Sequence, residues 1–139
     1  MGAWSEENFG NDDACDWVWV LEKSKGVDIL LSPLKVILAN NEYLESPECC
    51  EALAAAEVIA SAITGDDSRI PEEAQKWLAK KQGFFGKKPQ IKKEHALIAK
   101  QAIEKILDNS ELKELWEETE EYSKWCEIQT QLIATLADV

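Results

Sequence analysis

Apolar residues recur at helical spacing along most of the chain. Ala14, Trp17, Val18, Val20 and Leu21 supply the first apolar side, following Asp12, Asp13 and Asp16. Those aspartates fall in the opening turns of a helix, where the backbone dipole favours anions, with Asn11 or Asp12 placed to cap it and Gly26 to end it. Residues 1–11 have no periodic pattern and read as an irregular entry segment. Ser32 and Pro33 form a second start signal, leading into Leu34, Ile37 and Leu38. The preceding Val27, Ile29, Leu30 and Leu31 read as a loop or helical turn, because a lone strand would have nothing to pair with.

Ser46 and Pro47 repeat the start signal, and Gly65 sits where a C-terminal cap belongs, which predicts a helix over residues 47–64. Its middle, "EALAAAEVIASAI", is apolar on every side apart from Glu57. A helix of that kind is enclosed by others, so it is expected to be the central element of a bundle. Pro71 opens a shorter helix carrying Trp77 and Leu78. Gly83, Gly86 and Pro89 then interrupt the chain in the longest expected loop.

From about Lys93 the set Ala96, Leu97, Ala99, Ile103, Ile106 and Leu107 is again helical in spacing, and Ser110 caps the next helix. The last segment, residues 111–138, would span about 42 Å as one straight helix. That is long for a small domain, and the inner stripe of Leu112, Leu115, Trp116, Tyr122, Cys126, Ile133 and Leu136 weakens around Thr119, where a kink or break is expected. The fold class predicted is all-α: one domain over residues 1–139, a bundle of five to seven helices.

Composition adds that 45% of the 139 residues are hydrophobic, enough for a core. No apolar run is long enough for a membrane span, and the opening residues do not read as a secretory signal, so a cytoplasmic location is expected. Cys15, Cys49, Cys50 and Cys126 form no CxxC pair and read as reduced thiols. With His95 the single histidine, no metal and no cofactor is expected.

The net charge of −12 is uneven. Lys80, Lys81, Lys87, Lys88, Lys92 and Lys93 concentrate positive charge in the expected loop, leaving −18 for the rest of the chain. That balance disfavours nucleic acid and suits a basic protein partner.

The opening "MGAW" followed by "NFGNDDACDW" resembles the start of a bacterial family catalogued as domain of unknown function family 4259, through Gly2, Trp4, Phe9, Asn11, Asp12, Ala14, Asp16 and Trp17. The likeness continues in "YLESPECCEALAAAEVIASAITG" and "NSELKELWEE", with Trp125 downstream, and departs from the family at Ser5, Glu7 and Gly10. It implies a fold and no activity.

Glu57 is the carboxylate that needs explaining, since an unpaired buried one costs several kcal/mol or becomes neutral. Its helical neighbours offer only Ser61 as a donor. The expected donors lie in the entry segment around residues 2–4, its backbone N–H groups and the Trp4 indole, so that Gly2, Trp4, Asp12, Asp16 and Glu57 together pin that segment to the central helix. A catalytic carboxylate or metal site built from Glu57 with the first-turn aspartates is the competing reading.

Trp17 and Trp19 lie about 200° apart on a helix, so one of them should be exposed as an interface anchor; Trp19 is assigned that role. Glu111, Glu114, Glu117, Glu118, Glu120 and Glu121 form an acidic face able to dock a basic protein. The expected function is a non-enzymatic protein-binding module, most concretely an immunity protein that neutralises a toxin by direct binding. The alternatives are a carboxylate-dependent enzyme, with or without a metal, and a structural or regulatory subunit.

Overall fold

The computed structural model describes residues 3–80 and 88–139; Gly2, Lys81, Phe84, Phe85 and Lys87 lie outside the described residues. These hold seven helices and no strand, an all-α bundle: α1 Asp12–Glu22, α2 Asp28–Ala39, α3 Ser46–Thr64, α4 Glu72–Ala79, α5 Lys93–Asp108, α6 Glu111–Glu117 and α7 Tyr122–Ala137. No helix among them is long and apolar enough to cross a membrane.

The central helix is α3, which packs on α1, α2, α5, α6 and α7. Every residue of 52–61 is buried, Glu57 among them. The alanines at 52, 54, 55, 56 and 60 explain how so many neighbours fit: small side chains let the surrounding helices approach closely. Gly65 ends the helix with φ +81°, and its N–H donates to the Ser61 carbonyl at 2.8 Å.

Helix α1 ends at Glu22, capped by Lys23 and not at Gly26, and two further features differ from the sequence reading. Helix α2 starts at Asp28, so Val27 through Leu31 make its cap and first turn and Pro33 sits inside it. The proline leaves the Ile29 carbonyl without its usual i+4 donor, while Leu30, Leu31, Leu34 and Ile37 are all buried. Burial of that face outweighs one lost backbone bond. The far end of α2 is capped from another helix: the Lys105 ammonium of α5 donates to the carbonyls of Ile37 at 2.8 Å, Leu38 at 3.3 Å and Asn40.

The last difference is the register of α7. Its buried residues are Trp125, Ile128, Gln129, Leu132 and Leu136, whereas Tyr122, Cys126 and Ile133 pack only partly against the core. The inner stripe is thus rotated from the one read in the sequence. Thr119 separates α6 from α7: its N–H and its hydroxyl both donate to the Trp116 carbonyl, at 2.9 and 2.8 Å, and its Oγ1 accepts from Glu121 N–H at 3.3 Å. Across this break Trp116 and Tyr122 each stack on the buried Trp125, with ring centroids 6.4 and 6.2 Å away.

The cysteines are free thiols; burial pushes those of Cys49 and Cys50 up to about 12, which makes them inert core groups. His95 also has a structural role, its Nδ1 accepting the Lys92 backbone N–H at 3.0 Å at the start of α5.

Candidate functional site

The entry segment folds over α3 through a tight turn. Trp4 N–H donates to the Gly10 carbonyl at 2.9 Å, and Gly10 N–H donates to the Glu7 carbonyl at 2.9 Å. A Cβ on Gly10 would lie 2.1 Å from Ser5 Oγ and 3.1 Å from both the Ser5 Cβ and its backbone oxygen, so any side chain here would displace Ser5. Asn11 then caps α1, its Oδ1 accepting from Ala14 N–H at 2.8 Å, and its Nδ2 donates back to the Asn8 carbonyl at 3.3 Å. The turn and the cap together aim the Asn8 side chain inward.

Asn8, 4% exposed, is the residue that meets Glu57, itself 3% exposed. Its Nδ2 donates to Glu57 Oε1 at 3.2 Å and to Gln129 Oε1 at 3.0 Å, and Gln129 Nε2 donates to Asn8 Oδ1 at 2.7 Å. The amide orientation follows from the carboxylate, which can receive Nδ2 but not an oxygen lone pair. Trp4, a donor expected from the sequence, is 62% exposed and does not bond Glu57. The reason is the turn, which sends the indole outward and brings Asn8 to the central helix.

Burial pushes the Glu57 carboxyl up to about 7; the Asn8 hydrogen bond and the Arg69 charge pull it down, and Glu7 and Asp66 push it up. Beyond Glu57 opens a cavity of about 240 Å³ lined also by Ser61, Thr64, Asp66, Arg69 and Gln131. Arg69, in the connection between α3 and α4, spans from Glu7 (4.0 Å) to Gln131 Oε1 (3.3 Å). Asp12 and Asp16 are exposed on α1 and do not line this cavity; their charges act on the Cys15 thiol, which burial chiefly raises.

Sequence reading missed Asn8, Gln129 and Arg69. Gln129 carried a signal, a polar residue three after Cys126 and four before Ile133 in an apolar series. Arg69 stands out as the chain's single arginine. Asn8 offered none, because its burial depends on the turn at Gly10.

The six glutamates of the expected acidic face have different surroundings. Glu111 Oε1 accepts the Ser46 backbone N–H at 2.7 Å, capping α3 from another helix. Glu114 accepts from the Tyr43 hydroxyl at 2.5 Å, and Glu117 pairs with Lys113 at 3.8 Å. Glu118, Glu120 and Glu121, at the break between α6 and α7, have no side-chain hydrogen bond or ion pair among the described residues. Trp17 is buried, whereas Trp19 is 68% exposed beside a groove between α1 and α4 lined by Cys15, Val18 and Pro71. Among the described residues no group of three or more His, Cys, Asp or Glu is placed to hold a metal ion.

No curated protein and no solved structure matches the chain. A family model described as "Domain of unknown function (DUF4259)" matches residues 2–127, nearly the whole length, and the chain therefore belongs to that family.

Proposed function

We propose that this is a non-enzymatic, cytoplasmic, acidic protein-binding module that docks a basic protein on the surface around the break between α6 and α7. Its most concrete form is an immunity protein that covers the active surface of a toxin. The observation that carries the reading is the state of Glu118, Glu120 and Glu121: three carboxylates within four residues, none paired among the described residues. Lys113 and Lys124 flank them in sequence, and Lys113 is engaged with Glu117. A concentrated negative potential on a molecule of net charge −12 speeds encounter with a basic partner and selects against acidic ones.

The structural work of Glu111 and Glu114 narrows the docking set to Glu117 through Glu121, with Trp19 as a separate apolar anchor. The test is capture by the tagged protein beside capture by its Glu118→Lys, Glu120→Lys, Glu121→Lys variant. A basic protein held by the first and released by the second supports the reading; equal retention by both refutes it.

A second reading, a carboxylate enzyme, is favoured by one observation: Glu57 titrates near neutrality and borders a cavity, as a general acid or base would. Hydrolysis or proton-transfer assays on Glu57→Gln test it.

A further inference from the structure

The Glu57 cavity has features that the protein-docking reading does not use. Glu57 and Ser61 lie one turn apart on α3, are 3% and 7% exposed, and both line the cavity. Only Oε1 of Glu57 has a donor, from Asn8; Oε2 has none among the described residues, and neither does the Ser61 hydroxyl have a hydrogen-bond partner there. Glu57 Oε2 and the Ser61 hydroxyl are both reached from the cavity; the buried side-chain oxygen that lacks a partner among the described residues is Glu48 Oε2, elsewhere on α3. The space in front of Glu57 and Ser61, about 240 Å³, equals that of roughly eight water molecules.

We infer that this cavity is a binding site for a small protonated amine, whose ammonium N–H groups are received by Glu57 Oε2 and Ser61 Oγ. The class follows from the donor and charge inventory. On the inner wall Glu57 Oε2 is an acceptor and the Ser61 hydroxyl can accept or donate, while the N–H donors of Arg69 and Gln131 lie on the other side of the mouth. The formal charges on the lining are the carboxylates of Glu57 and Asp66 against the guanidinium of Arg69, so an anion is disfavoured. Asp66 Oδ1 is held by Ser68 through its N–H at 3.0 Å and its hydroxyl at 2.7 Å, which keeps this carboxylate ionised at the rim. An ammonium carries three donors and no acceptor, and it matches two inner acceptors with a third contact toward the rim. Arg69 closes the other side of the mouth through Gln131 and Glu7, and its charge favours the ionised form of Glu57 that the amine needs.

Occupancy depends on pH in a defined direction. The charged groups acting on Glu57 are Arg69 and Asp66 from the connection after α3 and Glu7 from the entry segment, while α7 contributes the neutral amides of Gln129 and Gln131. Alkylamines remain protonated to about pH 10, so between about pH 5.5 and about pH 8.5 only the carboxylate changes state. Amine affinity should rise by at least roughly tenfold over that interval.

The experiment is a titration of the full chain with 1,4-diaminobutane, followed by calorimetry and amide chemical shifts at about pH 8.5 and about pH 5.5, on either side of the carboxylate's transition. Beside it run the fully N-methylated diammonium, which has the same charge but no N–H donor, and the variants Glu57→Gln, Ser61→Ala and the Glu118, Glu120, Glu121 triple lysine. Expected are shifts at residues 57–69 and 131–135, a loss of at least roughly tenfold in Glu57→Gln, a smaller loss in Ser61→Ala, no binding of the methylated compound, and no effect of the triple lysine variant. Saturation that is unchanged in Glu57→Gln and Ser61→Ala, equal binding of the methylated compound, or no response of folded wild type at millimolar amine overturns the inference. The triple lysine variant separates this site from the docking face, so failure of one leaves the other standing.

Discussion

Asn8 and Gln129, 121 positions apart in the chain, exchange two side-chain amide hydrogen bonds in the core, and Asn8 gives a third to Glu57. The first residues of the chain are thereby tied to α3 and α7 through polar groups in an otherwise apolar interior. A network of this kind holds one arrangement because any slip leaves a donor or a charge without a partner.

Replacing Asn8 by alanine removes all three bonds and leaves both Glu57 and Gln129 buried without their donor. A loss of about 1–3 kcal/mol is expected, the cost of stranding buried polar groups. Urea denaturation of Asn8→Ala, Gln129→Ala and the double variant measures it; the double variant should lose less than the sum of the singles, since the two share partners.

Stability should fall as pH rises from about 4.5 to about 7. The Glu57 carboxyl is raised from 4.5 to about 7 in the folded chain, so within that window the native state holds a proton that the unfolded state has released. The contribution is fully present below the window and lost above it, with a span of up to about 3 kcal/mol. Glu57→Gln, which keeps an oxygen for Asn8, should lack this dependence and exceed wild type in stability at about pH 8. Denaturation midpoints of both proteins between about pH 4 and about pH 8 decide the matter; parallel profiles would mean that Glu57 is not the titrating group.

Gly10→Ala should destabilise by about 1–3 kcal/mol, the range for forcing atoms into filled space. Its new Cβ would meet Ser5 Oγ at 2.1 Å. Adding Ser5→Gly removes that hydroxyl and its Cβ, leaving only the 3.1 Å approach to the Ser5 backbone oxygen, and should restore part of the loss. Thermal melts of the single and double variants read out both effects.

Glu111→Ala should cost about 0.5–2 kcal/mol, as loss of a helix cap does, because Ser46 N–H at the head of α3 loses its acceptor. The same change at Glu120 should stay within about 0.5 kcal/mol, the usual range for an exposed site without a structural partner. Chemical denaturation of the two variants distinguishes a glutamate used by the fold from one that makes no structural contact.

The helical architecture was legible because its signals are local: Pro47 and Gly65 bracket α3, and the weak stripe at Thr119 marks the break before α7. The exposure of Trp19 and burial of Trp17 fit the angle that their spacing imposes. Relationships set by tertiary approach could not be read in advance. Pro33 looked like a helix start because the packing that carries α2 back to Asp28 is not visible in sequence. Glu57 was recognisable as needing a donor, but its donor depends on a turn at Gly10 whose tightness appears only when Ser5 lies against it. Arg69 and Gln131 meet at the cavity mouth from segments 62 positions apart, with no shared motif to announce it.

The proposed docking of a basic protein on the glutamates around the break between α6 and α7 is tested most directly by affinity capture with the tagged wild-type protein. Capture is run from its own cell lysate and from lysates containing the product of the neighbouring gene, at about 0.05 M and about 0.5 M salt, across which screening of exposed charges becomes strong. A stoichiometric basic partner retained at low salt and lost at high salt is the predicted result. No partner at either salt concentration, or a partner indifferent to salt, would contradict it.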